Sequence, residues 1–407
     1  MTREKLYEIA FQYKKAGLWK KLWDNDIFAI KLSSGEIGYI SIMGKGGQHN
    51  ALGLYIGEKG FGSYRILQGL GDEYSMPEYV YHELVLQQNC MQMALEEKDY
   101  MIPEELDEVR AYAKKNGIRL AGKNAYPQFV KYEPNCHPWK VKTDEDMLAL
   151  YEALKAAILM SEILSSATPE SIGINPVEMY TTEVPLFEVE GDKLVSRGFT
   201  LLPGPIEEKY EHVRACNQIF IASVKKLPKN GIWESELVRL MEPVQNDPEE
   251  TPHYPAVLLV VESESGYLLH VPAAEYAEKN PEVLLDDYAA AWVSLKAGPK
   301  EIRCRDERTF ALIKDFCDKT GVKISIYDGE LSALDEAEGA LFAHLSGRNE
   351  EKEFEYFMKA ISQILTLNKE EFKELPGPMI DQLKMLLEEG ILPEDMAKEL
   401  QKKLKGI

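Results

Sequence analysis

The stretch PAVLLVVESESGYLLHVPAAE, residues 255–275, decides the fold of the C-terminal half. Two apolar runs flank a Ser-Gly turn, a pattern typical of a β-hairpin. The run before it, IWESELVRL at 232–240, adds a third strand. Downstream the pattern changes to helix (281–297), strand EIRCR (301–305), helix (307–320), strand VKISIY (322–327) and helix (332–345). Such alternation predicts parallel strands joined by crossover helices, so residues 231–347 are expected to form one mixed α/β sheet.

This element order resembles the RNase H-like core of integrases and DDE transposases. In that fold, acids on the first strand, at the end of the fourth strand and on the last helix converge on two divalent metal ions. The resemblance implies a metal-dependent nuclease that uses Mg²⁺ or Mn²⁺. Its candidate catalytic residues are Glu236, or alternatively Glu234, on the first strand, Asp306 after EIRCR, and Glu336 or Glu338 on the last helix.

Three departures oppose that activity. A Glu stands where the fold's first strand carries Asp, and its extra methylene displaces the carboxylate by about 1 Å in a demanding metal geometry. Glu-Arg follows Asp306, where related integrases have Asn-Gly. Residues 231–347 contain 23 acidic and 10 basic residues, a net charge of −13, which repels a phosphate backbone. The sequence therefore favours a retained fold without nuclease chemistry.

The N-terminal half has the pattern of an antiparallel sheet with helices. Residues 3–16 predict a first helix that ends at Gly17, and three β-rich runs follow between residues 27 and 57. A helix at 103–115 begins with Pro103, YPQFVKY predicts another strand, and a long helix covers about 143–164. We expect an α+β fold here.

These patterns predict four regions. An N-terminal α+β domain covers residues 1–165, and a linker with a β-hairpin (VPLFEVE, a Gly-Asp turn and KLVSRGFTLL) covers 166–230. The RNase H-like domain covers 231–347, and a helical extension covers 348–407. The last helices, DQLKMLLEEGILPEDMAKELQKK, superficially resemble a helix-turn-helix. They offer mainly Glu and Lys to base edges, however, so packing on a domain or partner is favoured.

Other motifs indicate structure rather than chemistry. Residues 44–47, GKGG, join two predicted strands without a following helix N-terminus, so a hairpin loop is favoured over a phosphate loop. His49 follows this loop, and Cys136 and His137 are adjacent without a second ligand pair, so no structural metal is expected. No GxSxG motif accompanies the serines and histidines, and no nucleophile triad is predicted.

Composition excludes several classes of protein. The chain has 407 residues, 68 acidic and 47 basic, and a net charge of −21, which opposes binding to nucleic acid or anionic lipid. The uncharged apolar run from Tyr254 to Val261 is far shorter than a membrane span, and no secretion signal is visible at the N-terminus. Five scattered cysteines without a CxxC motif are typical of reduced thiols in the cytoplasm.

The whole chain also resembles an uncharacterised bacterial family built from two domains of unknown function. The N-terminal resemblance lies in FAIKLSSGEIGYISIMGKGGQHNALGLYIGEKG and YPQFVKYEPNCHPW, and the C-terminal one lies in IWESELVRL, YPAVLLVVESESGYLL and EIRCRDERTF. It implies a bacterial cytoplasmic setting and brings no established activity. We therefore expect a non-catalytic binding or regulatory module without a cofactor, whose partner is a protein or a small ligand. The alternative is a divergent metal-dependent nuclease.

Overall fold

A computed structural model describes residues 1–47, 49–69, 78–204, 210–270, 273–274, 280–345 and 393–404, with the single positions 365, 372, 380, 383, 384 and 387. The chain forms two compact units, Met1–Asp335 and Glu336–Ile407. Two separate sheets lie in the first unit.

The N-terminal sheet has eight strands: β1 (Phe28–Lys31), β2 (Ile37–Met43), β3 (Ala51–Ile56), β4 (Cys90–Glu96), β5 (Tyr126–Tyr132), β6 (Trp139–Lys140), β7 (Glu183–Glu190) and β8 (Lys193–Leu201). Their order is β6-β5-β4-β3-β2-β1-β7-β8. Every neighbouring pair is antiparallel except β1 and β7, which run parallel. The expected antiparallel arrangement is confirmed from β6 to β1, whereas the parallel pairing of β1 with β7 of the β7–β8 hairpin makes the eight-stranded sheet mixed.

In the described part of this region, five α-helices accompany the sheet: α1 (Arg3–Ala16), α2 (Gly57–Gly69), α3 (Glu78–Val85), α4 (Pro103–Lys115) and α5 (Asp144–Ile163). Local chemistry sets their ends. Gly17 ends α1 with a left-handed φ of 63°, and the Thr143 side chain accepts a hydrogen bond from the Asp146 N–H at the start of α5. The apolar faces of α1 and α5 pack in one core with strand residues such as Phe28 and Phe129.

The C-terminal sheet contains β9 (Ile232–Arg239), β10 (Ala256–Glu262), β11 (Leu268–His270), β12 (Ala273–Ala274), β13 (Glu301–Cys304) and β14 (Lys323–Ile326). The order is β11-β10-β9-β13-β14, and β12 also pairs with β10. Strands β9, β10 and β11 are antiparallel, whereas β13 is parallel to both β9 and β14. This is a mixed sheet, antiparallel in its first three strands and parallel in its later ones, as predicted.

Four helices belong to this part of the chain: α6 (Gln218–Lys225), α7 (Pro281–Leu295), α8 (Glu307–Thr320) and α9 (Ser332–Leu345). One face of the sheet, with Trp233 and Leu237 of β9, packs against α6, α7 and α8. Trp292 of α7 lies at the centre of this core and makes edge-to-face contacts with Trp233 and Phe316. The acidic residues of β9 project from the opposite face, because side chains alternate along a strand.

The two sheets are joined by backbone hydrogen bonds. The His137 N–H donates to the Pro252 carbonyl at 2.8 Å, and the Tyr254 N–H donates to the Asn135 carbonyl at 3.0 Å. The side chains of His137 and Tyr254 also meet, with 3.0 Å between Nδ1 and the hydroxyl oxygen. Cys136 and His137 therefore contribute to packing between the sheets.

In the second unit, helix α10 (Glu394–Leu404) is described. Among the described residues of this unit, four buried apolar side chains belong to one cluster: Leu365, Phe372, Leu383 and Leu400. This confirms a helical C-terminal extension, while most of the DQLKMLLEEGILP segment lies outside the described residues. Over the described part of the chain, every helix is too short or too polar to cross a membrane.

Candidate functional site

Strand β9 carries two buried acids, Glu234 and Glu236, on the face opposite Trp233 and Leu237. Glu234 is 3% exposed and Glu236 is 9% exposed. In the sheet register, Glu234 lies beside Arg303 of β13, and Glu236 lies beside Leu259 of β10. A carboxylate buried to this extent must be matched by hydrogen-bond donors or positive charge.

Glu234 accepts hydrogen bonds from a serine hydroxyl and from a backbone N–H. One carboxylate oxygen accepts a hydrogen bond from the Ser263 hydroxyl, and the other accepts one from the Leu334 N–H at 3.1 Å. Leu334 lies in the first turn of α9, whose N–H groups have no partner within the helix. Glu234 therefore caps the start of α9 and complements the positive end of its dipole.

Glu236 is paired with an arginine. Nε of Arg305, the residue directly after β13, donates to Oε2 of Glu236 at 2.5 Å. Another nitrogen of the same guanidinium donates to Asp335 of α9. Arg305 thus bridges a strand acid and a helix acid, and its fixed positive charge lies between the two carboxylates.

Burial still dominates the ionisation of Glu236. Loss of solvent raises the pKa of its carboxyl group from 4.5 to about 6, and the nearby Asp306 adds to this increase. The hydrogen bond and charge of Arg305, with a smaller contribution from Arg308, lower the pKa and only partly offset burial. Because the Arg305 side chain is 38% exposed, its charge is screened by water, whereas Glu236 is not.

Asp306 has a structural partner. Its side chain accepts a hydrogen bond from the Thr309 N–H at 2.6 Å and forms the N-cap of α8. The Thr309 hydroxyl in turn accepts a hydrogen bond from the Leu237 N–H at 2.9 Å. Asp306 therefore helps to fix the start of α8 against β9, and it lies close enough to Glu236 to affect its pKa.

The other two candidate acids belong to the C-terminal unit. Glu336 is exposed and Glu338 is buried, and both lie on α9 after Asp335. Within the first unit, Arg305 joins Glu236 to Asp335, and Asp306 lies near Glu236. Asp335 and Arg305 were not selected from the sequence, although an arginine directly after EIRC was a visible signal.

The residues of this region do not fit the metal pair of the RNase H-like enzymes. A two-metal centre needs several carboxylates directed at a shared ion. Here Glu234 accepts from Ser263 and α9, Glu236 accepts from Arg305, and Asp306 accepts from α8. Among the described residues, no group of three His, Cys, Asp or Glu side chains is arranged to hold a metal ion.

The GKGG loop and the neighbouring His49 have structural roles in the N-terminal sheet. The GKGG loop joins antiparallel strands β2 and β3, as expected of a hairpin. Its Lys45 ammonium donates to the Lys21 carbonyl and lies 4.7 Å from the centre of the Trp23 ring. His49 lies 3.8 Å from Glu96 and 3.3 Å from Gln92. Lys45 and His49 therefore make contacts with other residues of the protein.

Family models match most of the chain in two parts. Residues 4–176 match a domain of unknown function (DUF7309), and residues 220–342 match a second one (DUF6930). The chain combines two domains of unknown function. The acids of β9, Arg305, Asp306 and Asp335 all lie in the DUF6930 region. None of the curated proteins matches the chain.

Two solved structures similar to the chain are of the HTLV-2 integrase catalytic core domain in complex with magnesium. The trimeric form is 15% identical with a TM-score of 0.20, and the match covers 44% of this chain and 84% of that chain. The dimeric form is 16% identical with a TM-score of 0.19, covering 44% and 85%. The RNase H-like description of the DUF6930 region rests on the order and direction of its own strands.

Proposed function

We propose that the protein is a non-catalytic binding or regulatory module, in which the DUF6930 region keeps an RNase H-like fold without its metal chemistry. The observation that carries this proposal is the bridge from Glu236 through Arg305 to Asp335. A guanidinium remains charged at every physiological pH, and it supplies the positive charge that the acids require. A bacterial cytoplasmic setting is part of the proposal and is supported by five free thiols.

The charge of the region supports the same proposal. To hold a catalytic metal, Glu236 would have to exchange Arg305 for the ion, which leaves the arginine to find another partner. A nucleic acid would also have to approach a segment with a net charge of −13. Both steps are unfavourable, so the acids are better explained as anchors of α8 and α9.

The test is a nuclease assay on the full chain. Wild type and the variant Glu236→Gln, Asp306→Asn are incubated with single-stranded and duplex DNA and RNA, with Mg²⁺ and separately with Mn²⁺. We expect no cleavage by either protein. Cleavage by wild type that is lost in a folded variant would overturn the proposal and establish the alternative, a divergent metal-dependent nuclease.

A further inference from the structure

A cavity of about 510 Å³ lies between residues 210–214 and the DUF6930 region, on the side of β9 opposite Glu236. Its floor is apolar and includes Leu237 of β9, Leu284 of α7 and Leu312 of α8, each at most 6% exposed. A largely apolar cavity of this size with a few polar groups has the character of a small-molecule site.

The wall of the cavity is held in place by hydrogen bonds. It is formed by residues 210–214, which run along α8. The Val213 N–H donates to the Ala311 carbonyl at 3.0 Å, and the Ala215 N–H donates to Asp315 at 2.8 Å. Lys319 also donates to the Ala215 carbonyl at 2.9 Å. The wall is therefore formed in the free protein, which lowers the entropy lost when a ligand binds.

Arg308 provides a positive charge at the floor of this cavity. Its guanidinium donates to the Leu237 carbonyl and, at 3.3 Å, to Glu83. An arginine has five N–H donors, and these two contacts, among the described residues, use two of them. The side chain is 20% exposed and lines the cavity, where its remaining donors can meet a ligand.

The charged residues that line the cavity are mainly basic, whereas residues 231–347 are mainly acidic. Arg214 and His212 are exposed at the rim, and Glu211 is the acidic residue among the described lining residues. Two arginines and one glutamate therefore face the cavity, whereas residues 231–347, which supply its floor, have a net charge of −13. Such a local reversal of sign favours an anionic ligand.

We propose that this cavity binds an amphipathic carboxylate, with its apolar body against Leu237, Leu284 and Leu312 and its carboxylate on Arg308. A carboxylate accepts two parallel hydrogen bonds from a guanidinium, which matches both its charge and its planar shape. The site differs from the bridge of Glu236 and Arg305, which lies on the other face of β9, and the charge of Arg308 also acts on Glu236. Binding here goes beyond the absence of nuclease activity, and either proposal can fail without the other.

The experiment uses decanoate as the probe and the full chain with its leucine methyl groups isotopically labelled. Titration followed by methyl NMR is expected to shift Leu237, Leu284 and Leu312 with saturation below about 1 mM. Leu52 and Leu154 in the N-terminal core serve as internal references. Decanol has the same chain without the charge, and we expect it to bind at least about tenfold more weakly.

Two variants test the role of the charge. Arg308→Met is expected to weaken decanoate binding at least about tenfold and to leave decanol binding unchanged. The variant Glu83→Gln, Arg308→Met removes both partners of the ion pair and avoids an unpaired buried acid. Absence of saturation by decanoate in wild type would overturn the proposal. Equal affinities for decanoate and decanol would also overturn it. Shifts confined to Leu201 and Leu202, at the end of β8 in the N-terminal sheet, would overturn it as well.

Discussion

Glu83 of α3 and Arg308 of α8 form an ion pair between the two sheets, with 3.3 Å between Oε2 and Nη1. The other oxygen of Glu83 accepts a hydrogen bond from the Arg239 N–H at 2.7 Å. Both side chains are about one-fifth exposed. A single carboxylate of the DUF7309 region thus contacts two elements of the DUF6930 region.

Replacing this carboxylate should destabilise the first unit. We expect Glu83→Gln to lower its free energy of unfolding by about 2–4 kcal/mol, because Arg308 loses its partner in a poorly solvated place. Urea unfolding followed by tryptophan fluorescence measures this change. The exposed Glu58→Gln on α2 is the matched control and should change stability by less than about 0.5 kcal/mol. Equal effects of the two substitutions would contradict the structural role of Glu83.

Arg305 should matter more than Arg197, because Arg305 pairs with the buried Glu236 whereas both partners of Arg197 are partly exposed. Arg197 pairs with Glu188 and Glu190 on the β7–β8 hairpin, where all three side chains are partly exposed. We expect Arg305→Ala to cost about 1–3 kcal/mol at pH 7.5, and Arg197→Ala less than about 1 kcal/mol. Added Mg²⁺ should partly restore the melting temperature of the Arg305 variant alone. A similar Mg²⁺ response in wild type would show that Arg305 does not replace the metal.

Stability should also depend on the ionisation of Glu236. The pKa of its carboxyl group is about 6 in the folded chain, above its ordinary value of 4.5, so the folded state binds this proton more tightly. The resulting stabilisation is complete below pH 4.5 and is lost as the pH rises through 6. Its size is about 2 kcal/mol, since one pKa unit corresponds to about 1.4 kcal/mol.

The variant Glu236→Gln isolates this contribution. Its free energy of unfolding relative to wild type should increase by about 2 kcal/mol between pH 4 and pH 7. Glu162→Gln, at an exposed site on α5, is the control for general effects of charge removal. A difference between wild type and Glu236→Gln that is constant over this pH range would contradict the raised pKa.

Gly298 should tolerate no side chain, because Trp292 fills the space beside it. A Cβ at Gly298 would lie 2.6 Å from a ring carbon of Trp292. We expect Gly298→Ala to cost about 1–3 kcal/mol and to shift the tryptophan fluorescence as the ring moves. Gly46→Ala, where a Cβ would meet no atom within 4 Å, is the control. An unchanged unfolding midpoint for Gly298→Ala would mean that this core repacks readily.

The five thiols should differ in their reactivity. Cys216 is exposed, whereas Cys90, Cys304 and Cys317 are buried. Burial raises the pKa of Cys90 to about 12 and raises those of Cys304 and Cys317 further. We expect Cys216 to react first with a disulfide reagent and all five thiols to react after denaturation. Rapid reaction of all five in the native protein would contradict the described packing.

Much of this architecture was predictable from the sequence, because a strong hydrophobic period and clear capping residues at the helix ends occur in the same segments. Helix α8 has the predicted bounds, 307–320, and is capped by Asp306 and ended by Gly321. By contrast, the short apolar run IFIASVKKL gave no distinct period, and the structure places it in helix α6. The sequence pattern does not predict strand β4. Both faces of this strand are buried, so polar and apolar residues alternate only weakly along it.

The candidate site was only partly predictable. The order of the predicted strands and helices located Glu236 on the first strand and Asp306 after EIRCR, since both positions follow from the strand pattern alone. It could not show that Arg305 joins Glu236 to Asp335, because these residues meet only after three separate elements pack together. The same reason applies to the contact of Arg308 with Glu83, which are 225 positions apart in the sequence.

The parallel pairing of β1 with β7 affects how the chain folds during synthesis. Ala29 and Ile30 pair with Leu186 and Phe187, so one edge of β1 remains open until the ribosome has made the β7–β8 hairpin. Contacts so distant in sequence form slowly, and an open strand edge can pair with another chain in the meantime. A fragment that stops at residue 176, where the DUF7309 match ends, would keep this edge permanently and should self-associate.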